Sequence, residues 1–450
     1  MSGALEKKRK SQMSDDERVR SFQRKLYQKS KQEETFRFYV LYDKLCLPYV
    51  LREAYKRCRK NGGSPGVDGV TFASIEDAGV DGFLERIRNE LEQETYRPEM
   101  VRRVYIPKAN GKMRPLGIPT IKDRVVQTAC KLVIEPIFEA DFQDESYGFR
   151  PRRSAGQAVA TIREHLKRGY DQVYDADLSS YFDTIPHDKL MKLLEQRITD
   201  KRVLKLIRMW LKTPVRDDDG TISGGRNSRE GTPQGGVISP LLANIYLNIL
   251  DKAVNRNNGI YWYHNIKIVR YADDFILMGR YMPDTIVRYT IGLLERLGLT
   301  INTEKSRRIQ ARKNPFDFLG FTFRHDRDKF GRPFKFWNVT PSVKAEKRLY
   351  DNARELLDTH RHWGPQTVSR ELNKRISGWF GYYTIPGVSY PMTTAYRMEE
   401  KLSYKLHKYY KRKSQRKSRF ATNGAYKTLV DIFGLVKMTT WPKIKATANV

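Results

Sequence analysis

Cysteine is scarce in this chain: three in 450 residues, Cys46, Cys58 and Cys130, with no Cys-x-x-Cys pair among them. That count and spacing exclude a disulfide framework and make a reducing cytoplasm the default compartment. Seven histidines are present without a clustered, metal-ligating spacing. Missing too is any apolar run long enough to span a bilayer, and residues 1–31 hold no apolar signal core, which argues against secretion. Acids are under-represented, with 52 Asp+Glu against 84 Lys+Arg.

The resulting formal net charge of +32 calls for a polyanionic partner. An enzyme of small metabolites has little use for such a field, whereas neutralising phosphates and releasing their counterions supplies affinity for nucleic acid. A packaging or ribosomal protein would share the charge. Here 39% hydrophobic and 12% aromatic residues leave material for folded cores and for base stacking. The basic arm at residues 1–44 reads as an RNA-binding arm or as a solvated, partly helical tail. Residues 401–420 hold nine Lys/Arg and no acid, interleaved with Tyr404, Tyr409 and Tyr410, a pattern suited to a nucleic-acid backbone.

With acids so few, their grouping is informative. Tyr271-Ala272-Asp273-Asp274 lies between Ile266, Ile268, Val269 and Phe275-Ile276-Leu277-Met278. The pattern predicts a tight hairpin with two carboxylates at its tip. Like charges held this close repel unless a cation intervenes, and hard oxygen ligands beside a phosphate substrate point to Mg²⁺. An Asx-type turn would explain the four residues alone. Val173 to Asp183 supplies a second acidic segment, where period-two alternation puts Val173, Asp175 and Asp177 on one face, with Asp177 at the polar end of the strand as the natural ligand.

Elsewhere, Leu51 to Arg59 is predicted helical and is stopped by the turn-rich segment 61–69. Arg102 to Pro119 is predicted as a β-hairpin with Ala109-Asn110-Gly111 as its loop and Lys108 and Arg114 on its arms. Ile121 to Phe138 carries a helical apolar stripe. Ser239 is expected to N-cap a buried helix with Pro240 at its first position. Glycine-rich residues 230–237 precede it, where backbone can approach a base pair or sugar closely. Beyond Pro341 the pattern turns helical, over Val343 to Leu357 and Thr367 to Tyr383.

Nine segments in this order resemble the reverse transcriptases encoded by bacterial group II introns. They are Ser64-Pro65-Gly66-Val67-Asp68-Gly69, Ile106-Pro107-Lys108, Arg114-Pro115-Leu116-Gly117-Ile118-Pro119, Ser146-Tyr147-Gly148-Phe149-Arg150-Pro151, Asp177 to Asp183, Gly231-Thr232-Pro233-Gln234-Gly235-Gly236, Arg270-Tyr271-Ala272-Asp273-Asp274, Glu304-Lys305-Ser306 and Phe318-Leu319-Gly320-Phe321. The resemblance implies an α+β right-hand polymerase. Its parts would be fingers over 45–170, a palm with an antiparallel sheet over 171–335, a helical thumb or maturase domain over 336–412, and a basic extension over 413–450.

Residue by residue, it implies Asp177 and Asp273 as the main ligands of two Mg²⁺ ions, for which Mn²⁺ could substitute, with Asp274 as a supporting acid and the Leu178 carbonyl as a further ligand. Lys108 and Arg114 would grip the triphosphate. Phe182 would crowd a ribose 2′-hydroxyl, Gln234 would contact the incoming nucleotide, and Lys305 would lie near the leaving pyrophosphate. Phe318, Leu319 and Gly320 would hold the primer end, and Leu372 to Tyr383, including Lys374 and Arg375, would belong to the clamp on template-primer. The implied partners are an RNA template, a DNA or RNA primer, deoxynucleotides and a structured, intron-like RNA. The implied function is RNA-directed DNA synthesis with intron-RNA binding and splicing.

No cysteine follows Cys130, so the Cys- and His-containing endonuclease module of many intron proteins is not expected. A domesticated enzyme serving phage defence or CRISPR adaptation would have the same core. A non-catalytic maturase would have no reason to keep all three acids, and an RNA-directed RNA polymerase would have no use for Phe182 as a gate.

Overall fold

The computed structural model describes residues 13–107, 111, 113–232, 235–327, 333–411, 420 and 424–441. The chain divides into two compact units, Met1–Arg153 with Ala176–Ile276 and Pro283–Arg307, and Ser154–Asp175 with Leu277–Met282 and Arg308–Val450.

The first unit is organised on the helix Ile121–Glu139, which is buried around most of its circumference. Its start is fixed by Thr120, whose side chain accepts from the Asp123 amide, satisfying one of the orphan donors of a first turn. Pro136 lies inside this helix. Proline has no N–H, so the carbonyl four residues back, Leu132, loses its helical donor. Gln23 supplies the replacement, donating to the Leu132 oxygen at 2.8 Å. Ser30 and Lys31 donate to the carbonyls of Ile137 and Ala140 at 2.9 and 3.0 Å, at the helix's C-terminal end. All three donors come from the helix Asp15–Gln32, which opens with a Ser14–Glu17 capping box. The arm from Asp15 onward is therefore a docked helix with Val19 fully buried, and the reading as a solvated tail does not hold for it.

The helix predicted around Leu51 to Arg59 runs over Pro48–Asn61. The segment after it folds back on the helix Ile121–Glu139: Arg124 donates to the Ser64 carbonyl, and a Cβ on Gly66 would stand 2.7 Å from the Thr120 backbone. The expected hairpin forms from the antiparallel strands Val101–Pro107 and Met113–Ile118, with Ile106 opposite Arg114 and Pro107 opposite Met113. Val215–Arg216 adds in parallel to the first of them, and Ile222–Ser223 pairs with it in turn.

The buried helix after the glycine-rich segment spans Ser239–Asn255, with Ile238 in the cap position at φ −85° and ψ −20°. Ser239 is thus its first residue and not its N-cap. Gln127, on the helix Ile121–Glu139, holds the approach to it, accepting from the Val237 amide at 2.9 Å. A four-stranded sheet has the order Lys267–Tyr271, Asp274–Gly279, Gln172–Ala176, Arg307–Gln310. Phe275 through Met278 are fully buried, as expected of a strand covered on both faces.

In the second unit, Phe316–Phe318, Phe321–Asp326 and Phe336–Pro341 form an antiparallel meander with Phe316 and Phe323 stacked at 4.9 Å between centroids. Helices Val343–Thr359, Pro365–Tyr383, Met392–Lys411 and Ala425–Phe433 follow, sharing a core that includes Leu356, Leu372, Phe380, Leu402, Leu406 and Leu429. Among the described residues, no helix is long and apolar enough to cross a membrane.

Candidate active site

The hairpin between Lys267–Tyr271 and Asp274–Gly279 turns on two residues, Ala272 and Asp273. Ala272 has φ +59°, a left-handed conformation that side chains with a Cβ rarely adopt and that costs about 1 kcal/mol. The surroundings over-determine it. Arg270, fully buried, donates from Nε to both Asp251 oxygens at 2.9 and 3.0 Å and from Nη1 to the Ala272 carbonyl at 2.8 Å. The same Nη1 donates to Asn244 Oδ1 at 3.0 Å, and Asn244 Nδ2 donates to the Gly148 carbonyl at 2.8 Å. Gly148 then closes the cradle, because a Cβ there would stand 2.3 Å from the Ala272 nitrogen.

Sequence reasoning missed this network. Its signal was available in the helix Ser239–Asn255, where Asn244, Asn248 and Asp251 recur at helical spacing on a mostly apolar, buried segment. A buried charge needs a buried partner, and Arg270 was the nearest basic residue of the acidic hairpin.

Asp177 follows directly on the strand Gln172–Ala176. The turn at 302–306 holds it three times: its carbonyl accepts from the Asn302 amide at 2.8 Å, its amide donates to Ser306 Oγ at 3.1 Å, and its carboxylate accepts from Lys305 Nζ at 3.0 Å. Asn302 shapes that turn by accepting from the Glu304 and Lys305 amides. Lys305 is largely exposed, so water weakens its ion pair with Asp177.

Burial pushes the Asp273 carboxyl above its ordinary range; the Arg114 guanidinium opposes this, and the negative charge of Asp177 adds to it. The Asp273 carboxyl thus feels the charges of Arg114 and Asp177, and Lys305 reaches Asp177 directly. Asp274 is exposed at the start of its strand, and Leu178 is buried, bridged to Ile301. Among the described residues, no three His, Cys, Asp or Glu side chains converge closely enough to hold a metal by themselves. The donor set nonetheless fits a hard cation: two carboxylates, one of them raised chiefly by burial and further by the charge of the other, with a guanidinium and an ammonium opposing.

Phe182 is half-buried in the single helical turn Tyr181–Thr184, edge-on to Tyr181 with centroids 5.5 Å apart. Lys108 and Gln234 lie outside the described residues. Beside Gln234, Gly235 has φ +109°, and a Cβ on it would stand 2.1 Å from the Gly117 carbonyl. The loop thus touches, backbone to backbone, the strand that carries Arg114.

In the second unit, Phe318 is buried and Leu319 and Gly320, at φ +51° and +81°, form the two-residue turn into Phe321, the twist a tight hairpin favours. Tyr382 donates to the Leu319 carbonyl at 3.0 Å. Lys374 pairs with Glu371 at 2.8 Å, and Arg375 donates to the Glu371 carbonyl at 3.1 Å.

Residues 106–323 match the family described as reverse transcriptase (RNA-dependent DNA polymerase), and residues 346–424 match the maturase-specific domain of group II introns. The fold is accordingly the α+β right-hand polymerase fold, and the enzyme is an RNA-directed DNA polymerase. Protein YkfC of Escherichia coli (strain K12) is 37% identical over 366 residues, which cover 73% of this chain and 93% of that one. Group II intron-encoded protein LtrA of Lactococcus lactis subsp. cremoris is 39% identical over 224 residues, 48% of this chain and 35% of LtrA. Nuclear intron maturase 1, mitochondrial, of Arabidopsis thaliana is 37% identical over 107 residues, 23% of this chain and 15% of that protein. This chain belongs to the group II intron-type reverse transcriptases, in which a polymerase is followed by a maturase-specific domain.

Proposed function

We propose that the chain copies RNA into DNA at a centre formed by Asp177 and Asp273, with Asp274 in support, and that its thumb binds a structured, intron-like RNA. The observation that carries the reading is the reverse transcriptase match over residues 106–323, which contains both the Asp177 segment, tied to Lys305, and the Asp273 turn, fixed by Arg270. The same span holds the hairpin of Arg114, which the family resemblance assigns to the triphosphate.

Reverse transcriptase domains use divalent ions, and Asp177, Asp273, Asp274 and the Leu178 carbonyl would hold two Mg²⁺ here, with Mn²⁺ as the substitute. When bound, such ions lower the pKa of the primer 3′-hydroxyl and neutralise charge on the leaving pyrophosphate. The chain's own contribution is position and charge. Arg114 and Lys108 orient the triphosphate, Phe182 crowds the sugar edge, Gln234 contacts the nucleotide, and Lys305 exchanges its hold on Asp177 for the pyrophosphate. Phe318, Leu319 and Gly320 support the primer end, and Lys374 and Arg375 serve the clamp. On this reading the fingers occupy 45–170, the palm 171–335 and the thumb 336–412, flanked by the N-terminal arm and a basic extension.

Two measurements test the substrate assignment. Phe182→Ala is expected to raise the kcat/KM for ribonucleotides relative to deoxynucleotides by about tenfold or more; an unchanged ratio would place the gate at another residue. Template-primer affinity is expected to fall steeply, by about a thousandfold between 50 and 200 mM salt. A flat dependence in a binding titration would mean that the charge of +32 is not directed at phosphates.

A further inference from the structure

The turn that carries Phe182 and the loop that leads to Gln234 are bonded to each other along their length. The Phe182 carbonyl accepts from the Thr232 amide at 2.6 Å, the Ile185 carbonyl accepts from the Gly231 amide at 2.9 Å, and the His187 amide donates to the Arg229 carbonyl at 2.9 Å. Between them, Pro186 bridges Glu230. Gly231 permits the close approach: it has φ +91°, and a Cβ on it would stand 3.1 Å from the Asp183 carbonyl.

Two side chains reinforce this ladder: Thr232 Oγ1 donates to the Phe182 carbonyl at 3.4 Å, and a histidine adds a shorter bond. The His187 ring, 7% exposed, has Nε2 at 2.6 Å from the Gly231 carbonyl. A carbonyl only accepts, so Nε2 carries the proton and donates. Nδ1 is buried and, among the described residues, has no hydrogen-bond partner, so this is the ring's one hydrogen bond there. Gly231 stands three residues before Gln234, and Gly235, on the far side of Gln234, rests against the Gly117 backbone. The loop is thus held at both ends, by His187 on the Phe182 side and by Gly117 on the Arg114 side.

We infer that His187 is a positioning residue for nucleotide selection: its ring bond to Gly231 joins the backbone bonds in fixing residues 229–232 against the turn of the Phe182 gate, and so sets the room left for a ribose 2′-hydroxyl. The inference rests on the reading of Phe182 as the gate. Losing the bond loosens residues 229–232 against that turn and admits the larger sugar, while the palm aspartates stay in place.

The test compares wild type, His187→Phe and His187→Gln by single-nucleotide extension of an RNA-templated primer with dNTP and rNTP, beside thermal melting. His187→Phe keeps the ring shape and loses the donor. It should raise the rNTP-to-dNTP ratio of kcat/KM about fivefold, through a higher KM for dNTP and a lower one for rNTP, with a wild-type melting curve. His187→Gln, whose amide can donate to the same carbonyl, should restore most of the discrimination. An unchanged ratio in His187→Phe, or an equal loss for both nucleotides, would overturn the inference by showing a merely structural histidine. Phe182→Ala is run alongside. If it leaves discrimination unchanged, the gate reading itself fails; if it loosens discrimination and His187→Phe does not, only the present inference fails. Should His187→Phe not fold, His187→Asn, too short to reach the carbonyl, takes its place with the same expected and overturning outcomes.

Discussion

Asp273→Asn is expected to cut primer extension by at least about a hundredfold while leaving RNA binding close to wild type. Asparagine keeps the shape of the side chain and removes the charge that a divalent ion would bind. Metal-free protein offers a second readout with the sign fixed by the structure. The Asp273 carboxyl is raised by burial and by Asp177, so the folded chain holds that proton more tightly than the unfolded chain does. Its contribution favours folding at acid pH and is lost as pH rises through the ordinary carboxylate range to the raised value. At neutral pH the wild type bears the full penalty and Asp273→Asn does not. The variant should therefore melt higher than wild type without divalent ions and gain less on adding Mg²⁺. Full extension activity, or a lower melting temperature without metal, would contradict the assignment of Asp273.

The second large effect belongs to Arg270. Arg270→Met should destabilise the fold by about 3–5 kcal/mol, because it leaves the Asp251 carboxylate buried without its partner. Both side chains have no solvent exposure. The double substitution Arg270→Met with Asp251→Leu should recover most of that stability, since apolar residues replace the pair without stranding a charge. It should not recover extension activity, because the Ala272 carbonyl still lacks the Nη1 donor that fixes the turn. Denaturant unfolding of the two variants, set against their extension rates, separates these outcomes. A double variant with wild-type activity would show that the turn holds its shape unaided.

What was legible in the chain was local. Strand alternation and apolar periodicity placed the hairpins of Asp273 and Arg114 and the helix Ile121–Glu139, because each obeys a short-range rule. Long-range polar pairing was not legible. The Asp15–Gln32 helix is largely polar and reads as solvated, and nothing local reveals that Gln23 fills the gap left by Pro136. The same holds for Gln127, which fixes the chain's entry into a helix more than a hundred residues away. His187 looked like one more residue after a proline. Its place opposite Gly231 depends on a loop more than forty residues on.

Gly148 against Ala272 and Gly235 against Gly117 are contacts of main chain on main chain. Neither can be adjusted by degrees. A methyl group at either glycine is too much, and there is no smaller residue to try. On the proposed reading, drift in the choice of nucleotide would come from side chains such as Phe182 and His187. The spacing of the two backbones is inherited whole or lost.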